Sequence, residues 1–323
     1  MSQQHPRLPA GEHGMVVLDD AAVLRLADPA GLVAALKDAF RAPGQTPPRV
    51  HGELPGSDDA RLLIMPSWSG REAIGVKVLT SVPRNASRGL PTISGVYLLM
   101  DGETGQPRAV LNAAALTSLR TAAVGALAAS LLARADARVL LVLGTGALAP
   151  HLVRAYLAVR PLQRVLVWGR DGHKAGQVVA QLSGLPVRVE VAGALAPAVG
   201  MADMICCATA ARTPVIKGVW VSEGTHVDLI GSFTPAMREA DTELIRRARV
   251  VVDVAAAGAE SGDLLGPLQE GALSLPLPDL TALLRQPNVG RTDDSQITVF
   301  KSIGTGLADL AVARHLVGLL RRG

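Results

Sequence analysis

The sequence predicts an α/β protein in two parts, an α+β part and a doubly wound parallel sheet. Three observations carry this. The first third holds short strands separated by tight-turn signals, which pair antiparallel. From Arg138 onward, continuous apolar runs alternate with helical stretches, the pattern of strands buried on both faces. A glycine-rich turn joins the first of those runs to a helix.

Taken in chain order, Asp28 and Pro29 open a helix whose Leu32, Leu36 and Phe40 form an apolar stripe at helical spacing. A Pro/Gly-rich loop runs from Ala42 to Arg49. Strands are predicted over Arg61 to Met65, Ile74 to Thr80, Thr92 to Met100 and Arg108 to Asn112. The segment Asp101-Gly-Glu-Thr-Gly105 turns between the last two. A helix over Leu116 to Ala135, with Thr117 as its N-cap, presents Leu119, Val124, Leu127, Leu131 and Leu132 near one face. Strands follow over Arg138 to Leu143, Arg164 to Trp168, Val187 to Val191, Met204 to Ala208, His226 to Ile230 and Val250 to Val254, with helices from Leu148 and from His173. Ala308 to Leu320 closes the chain as a helix. The predicted division is residues 1–117 with 305–323 for the α+β part and 118–304 for the parallel-sheet part.

Of 323 residues, 49% are hydrophobic but only 2% aromatic, so the cores are built mostly from Ala, Val and Leu. The net charge of +4 comes without any Lys/Arg run interleaved with aromatics, which argues against nucleic acid as a partner. The two cysteines, Cys206 and Cys207, are adjacent and fit neither a disulfide framework nor a metal-ligand spacing, so no metal is expected and the compartment is read as reducing. The polar stretch Met1 to Pro9 lacks the apolar core of a signal peptide, and no uninterrupted apolar stretch long enough to span a bilayer is seen. These readings place the protein in the cytoplasm, away from membranes.

The strand ending at Leu143 runs into Gly144-Thr145-Gly146-Ala147-Leu148-Ala149, a G-x-G-x-x-A pattern between strand and helix. The first glycine permits the tight turn, the second lets a pyrophosphate approach the backbone, and Ala149 lets helix and strand pack closely. The N–H groups of this helix start suit the anion. In this context the pattern predicts a Rossmann-type dinucleotide site. The next strand ends at Gly169, followed by Arg170 and Asp171, where a cofactor with a free ribose 2′-hydroxyl is usually met by an acid. A guanidinium there can hold a 2′-phosphate, a contact worth about 1.5–3 kcal/mol or roughly 10- to 150-fold in affinity. NADPH is therefore expected to be preferred, with NADH possible if Asp171 rather than Arg170 faces the ribose. His173 and Lys174 are near enough to reach a phosphate.

Lys77 alternates with Val76 and Val78 in an apolar strand and is either snorkelling or functional. Arg120, read as lying in the first turn of its helix, would oppose the helix dipole unless an anion binds there. Arg49, after Pro47 and Pro48, has less local support.

Together these segments resemble the ornithine cyclodeaminase/mu-crystallin family. The matching stretches are Pro48-Arg49, Met65-Pro66, Gly75-Val-Lys77, Pro83-Arg-Asn85, Leu116-Thr-Ser-Leu-Arg-Thr-Ala122, Gly144-Thr-Gly146, Ile230-Gly231 with Pro235, Glu239 and Asp241, Glu260-Ser-Gly-Asp263, and Phe300-Lys-Ser-Ile-Gly304. The resemblance implies a homodimer built through the α+β domain and an active site between the domains. It implies that Arg49, Lys77 and Arg120 grip a substrate carboxylate and carry the catalysis, that Thr121 lies beside the cofactor, and that Ser302 lines the nicotinamide pocket. In the family's cyclodeaminases an Asp two residues before the Pro acts on the substrate amine; here Phe233 stands there, a residue that moves no proton and offers an apolar wall to a ring. Asp228 lies earlier on the same strand, in the wrong register to replace it. The resemblance therefore implies NAD(P)H-dependent reduction of a cyclic 2-imino acid, such as 1-pyrroline-2-carboxylate or 1-piperideine-2-carboxylate, to L-proline or L-pipecolate. The alternatives are an alanine or other amino acid dehydrogenase, an ornithine cyclodeaminase, and an NADPH-dependent ligand-binding protein like mu-crystallin.

Overall fold

A computed structural model describes residues 14–42, 44–54 and 60–321; the polar stretch Met1 to Pro9 and Pro43 of the Pro/Gly-rich loop lie outside them. The chain forms two compact units: Met1–Ala35, Ala42–Arg120 and Thr305–Gly323 make one, Leu36–Arg41 and Thr121–Gly304 the other.

The first unit contains β1 (Val16–Leu18), α1 (Asp20–Arg25), α2 (Pro29–Arg41, shared with the second unit), β2 (Val50–Glu53), β3 (Arg61–Ser69), β4 (Ala73–Ser81), β5 (Ile93–Asp101) and β6 (Pro107–Asn112). Its sheet has the order β1-β6-β5-β4-β3-β2, with β1 parallel to β6 and the other pairs antiparallel. Asp28 accepts from the N–H groups of Ala30 and Gly31 at the start of α2, whose Leu32, Leu36 and Phe40 are buried. Between β5 and β6 the Asp101 carboxylate accepts from Glu103 N, Thr104 N and the Thr104 hydroxyl, Gly105 adopts φ +70°, and Arg108 pairs with Asp101. Asp101 is held well below the usual carboxylate range, chiefly by Thr104.

Period-2 alternation decides what this sheet buries. Met65, Lys77, Tyr97 and Leu111 sit opposite one another across β3 to β6, and all four are buried. The other face carries Ile64, Val78 and Val96 in one row, and Val76, Leu98, Val110 and Val17 in the next. Val17, Val96 and, beside Ile64, Val50 are exposed.

The second unit begins within α3 (Ala113–Leu132). It continues β7 (Val139–Leu143), α4 (Ala149–Leu157), β8 (Arg164–Trp168), α5 (Gly172–Gln181), β9 (Arg188–Val191), α6 (Leu195–Met201), β10 (Met204–Cys207), β11 (His226–Leu229), α7 (Thr242–Arg247), β12 (Ala248–Val252), α8 (Ala257–Glu260), α9 (Gly262–Gln269), α10 (Leu280–Arg285) and β13 (Ile297–Lys301). The sheet is parallel throughout, in the order β9-β8-β7-β10-β11-β13-β12. Chain direction reverses its sheet order between β7 and β10, the crevice where such sheets bind ligands at the strands' carboxyl ends. Leu141, Leu143, Ile205, Cys207, Val227, Leu229 and Val299 form one continuous core across it. The last helix, α11 (Gly306–Leu320), returns to the first unit.

Three expectations are corrected. The long helix starts at Ala113, and Asn112 rather than Thr117 caps it by accepting from Ala114 N and Ala115 N at 3.0 Å each. Arg120 therefore lies roughly two turns inside α3, past the reach of the end dipole, and the predicted dipole conflict does not exist. That same helix is long and apolar enough by length and composition to cross a membrane, contrary to the reading above; it is an alanine-rich core helix, mostly buried inside the fold.

Candidate active site

The turn after β7 is built around its glycines. Gly144 adopts φ +125°, and a Cβ there would come within 2.4 Å of the Ala208 carbonyl oxygen, so only glycine fits. A Cβ on Gly146 would meet nothing within 4 Å, which leaves its backbone open to a ligand. Leu148 precedes α4 with no side-chain cap, and Ala149 is buried. At the end of β8, a Cβ on Gly169 would strike Thr145 Cγ2 at 2.6 Å, so the two predicted residues are packed on one another. These residues fit a dinucleotide pyrophosphate: the backbone is approachable and the first turn of the helix is uncapped by side chains. Arg170 is exposed and makes no hydrogen bond or ion pair with any described residue. Asp171 is occupied, its Oδ1 capping α5 by accepting from His173 N at 2.9 Å and Lys174 N at 3.4 Å.

Further along the carboxyl edge of the same sheet, Ser302 donates to Asp253 Oδ2 at 2.7 Å, and the N–H groups of Ile303 and Gly304 reach the same oxygen. Burial pushes the Asp253 carboxyl up, against these donors. Glu239 binds the segments after β10 and β11 together, accepting from Thr209 N and Gly231 N at 2.7 Å and from Ser232 N at 3.2 Å. Burial pushes it up to about 6, opposed by the charge of Lys301. Phe233, on the loop that Glu239 fixes, is half exposed. Asp228 is fully buried, accepts from Tyr156 and lies 3.1 Å from His226 Nε2, so it is committed to the interior. Thr121 is buried on α3.

In the first unit, one carboxylate gathers two of the predicted cations. Asp309 on α11 is completely buried; its Oδ2 lies 2.7 Å from Lys77 Nζ, and its Oδ1 accepts from Arg120 Nε at 3.2 Å. Lys77 is 1% exposed, on the sheet's inner face. Burial lowers it to about 8; Asp309 opposes that fall, and Arg120 and Arg49 add to it. Arg49 is thus close enough to act on the lysine's charge. Arg120 is buried too, yet its Nη1 and Nη2 donate to no described residue. The Tyr97 hydroxyl, lodged over Gly75, is buried without a hydrogen-bond partner among the described residues, and burial with the Asp309 charge raises it well above the ordinary phenol range. Asp309 and Tyr97 were missed in the sequence. Their only local signal is an aspartate inside the apolar run Gly306-Leu-Ala-Asp-Leu-Ala-Val312 and a tyrosine in register with Lys77.

The family model for the ornithine cyclodeaminase/mu-crystallin family matches residues 16–320. The chain belongs to that family. A Delta(1)-pyrroline-2-carboxylate reductase of Paracoccus denitrificans is 39% identical over 269 residues, 82% of this chain and 85% of the relative. Among solved structures, the Delta(1)-pyrroline-2-carboxylate reductase of Thermococcus litoralis in complex with NADH and L-proline superposes with a TM-score of 0.89 at 28% identity, covering 95% of this chain and 98% of the other. An archaeal alanine dehydrogenase dimer with bound NAD gives a TM-score of 0.87 at 29% identity, covering 96% and 97%.

Proposed function

We propose that this family member is an NAD(P)H-dependent reductase of cyclic 2-imino acids, with 1-pyrroline-2-carboxylate its test substrate and L-proline the product. The observation that carries the reading is Arg120: a buried guanidinium held, among the described residues, only through Nε, with both terminal nitrogens left for an anion. A planar carboxylate matches that free edge. The similarity to Delta(1)-pyrroline-2-carboxylate reductases supports the rest of the substrate.

The turn at Gly144 and Gly146 would hold a reduced nicotinamide dinucleotide, which would supply the hydride for C2 of the imine. Arg120 and Arg49 take the carboxylate and so fix the orientation of the C=N bond. The imine nitrogen takes a proton from Lys77 Nζ, which makes C2 more electrophilic, and the net change is C=N plus hydride plus proton to CH–NH. A lysine at about 8 is protonated near neutrality yet releases its proton far more readily than a solvated one. Phe233 supplies an apolar wall, and no proton, against the ring.

NADPH is the preferred cofactor in this reading. The exposed Arg170, without a partner among the described residues, supports a 2′-phosphate contact, and Asp171, the acid beside it in sequence, is engaged in capping α5. The protein acts as a homodimer: the outer face of the first unit's sheet, with Val17, Val50 and Val96 exposed beside half-buried Val76, Val78 and Leu98, is an apolar patch suited to a second copy. Two buried, free cysteine thiols suit a reducing, cytoplasmic setting.

The likeness to an alanine dehydrogenase favours one second reading, reductive amination of pyruvate. The test is a substrate panel with NADPH: 1-pyrroline-2-carboxylate, pyruvate with ammonia, and, in the oxidative direction, L-ornithine with NADP+. Turnover of the cyclic imine with L-proline as product is expected. Turnover confined to pyruvate with ammonia would transfer the assignment to the dehydrogenase.

A further inference from the structure

Lys77 and Arg120 lie on different elements, β4 and α3, and neither fixes the other. What holds them is a third residue from the far end of the chain. Asp309 is 189 positions from Arg120, on α11, whose start is capped by Thr305. Gly306 seats that start closely: a Cβ there would lie 3.1 Å from the Pro66 carbonyl oxygen and 3.2 Å from Ser67 Cβ, both on β3. One carboxylate then meets two cations with separate oxygens.

A purely stabilising role explains this poorly. Removing ions from water is costly, and well-packed apolar side chains commonly stabilise a core as well as a buried ion pair does. The geometry is informative in another way. Asp309 takes Arg120 by its Nε edge, which orients the plane of the guanidinium and keeps the two terminal nitrogens free. It takes Lys77 at 2.7 Å, which fixes the ammonium on the same side of the sheet. The groups facing Lys77 are Asp309 from α11, Arg120 from α3, Arg49 from the segment before β2 and Tyr97 from the paired strand β5. Asp309 is the only anion among them. Asp309 thus gives the lysine one neighbour that favours its charged form, against the charges of Arg120 and Arg49.

We propose that Asp309 is a positioning residue of the reaction: it orients Arg120 toward the substrate carboxylate and keeps Lys77 protonated and in place to serve the imine nitrogen. This rests on the imine-reductase reading above, so its test includes a readout that does not need turnover.

The chain has five lysines, Lys37, Lys77, Lys174, Lys217 and Lys301, so with 13C at lysine Cε in the full-length protein the Lys77 resonance is identified by its loss in Lys77→Arg. In Asp309→Asn the anion is gone while burial and both arginines remain, so the Lys77 titration midpoint moves to lower pH by at least half a unit. The basic limb of kcat/KM, where activity is lost as Lys77 gives up its proton, moves the same way. Turnover falls more than tenfold, and the Kd for NADPH stays within twofold. Asp309→Glu keeps the charge but displaces it; the midpoint stays within a few tenths of a unit and kcat falls several-fold, less than in Asp309→Asn. An unmoved midpoint in Asp309→Asn, or activity lost uniformly at every pH, overturns the proposal as a merely structural effect. If the asparagine variant does not fold, wild-type kcat in Asp309→Glu overturns it. Failure of the unaltered protein to reduce any imine would sink the functional reading, and the resonance would still report on the Asp309–Lys77 coupling.

Discussion

The proposed function gives Arg120 and Arg170 an anion each, but burial makes their expected contributions different. Arg120 is shielded from water, so a substrate carboxylate bound there would be weakly screened and oriented by its planar edge. Arg170 is solvent-exposed and gains less. For Arg170→Ala we expect a loss of NADPH affinity of about tenfold, the lower end of a charge-assisted contact, with NADH affinity unchanged. Fluorescence titration of both cofactors checks this; equal loss for both would mean that Arg170 does not read the 2′-phosphate. Residue-scale chemistry was partly legible in the sequence. Period-2 alternation placed Lys77 on a strand face, and the face it occupies is the buried one. Asp309 was not legible, because its meaning comes from partners on β4 and α3 that no local pattern connects to α11.

At the scale of elements, the start of α3 shows how a correct motif can be placed in a wrong frame. Asn112 and Thr117 are both acceptable caps, and the apolar stripe from Leu119 onward drew the helix start toward Thr117. The three alanines after Asn112 are strong helix formers without a stripe, and they carry the helix back to Asn112. Thr117 instead buries its hydroxyl without a partner among the described residues. Asn112→Ala should therefore cost about 1 kcal/mol and lower Tm by roughly 2–3 °C, whereas Thr117→Ala should be close to neutral. Calorimetry on the two variants separates these assignments; the reverse order would restore Thr117 as the cap. The strands of the parallel sheet are readable as apolar runs except for β9, where Arg188 and Glu190 alternate with valines, and β13. The latter enters the sheet between β11 and β12, far from its chain neighbours, and was seen only as a motif around Phe300. β1 has three residues, too few for a periodic signal, and exists through its parallel pairing with β6.

For the whole molecule, the proposed function uses both units: Lys77, Arg120 and Asp309 lie in the first and the Gly144 turn in the second. The first unit leaves an apolar sheet face whose burial is the thermodynamic reason to expect a second copy. Light scattering should give about twice the 33.5 kDa chain mass. Val96→Asp, which puts a charge on that face, should give the single-chain mass with the fold retained. A single-chain mass for the unaltered protein would remove the dimer from the account.

The central claim is reduction of a cyclic 2-imino acid, and the most direct measurement is NADPH oxidation at 340 nm with 1-pyrroline-2-carboxylate, compared with NADH under the same conditions. The account predicts rapid oxidation, faster with NADPH at limiting cofactor, accumulation of L-proline, and a decline in kcat/KM as pH rises through about 8, where Lys77 loses its proton. Binding of NADPH without oxidation of either cofactor by the imine would contradict it.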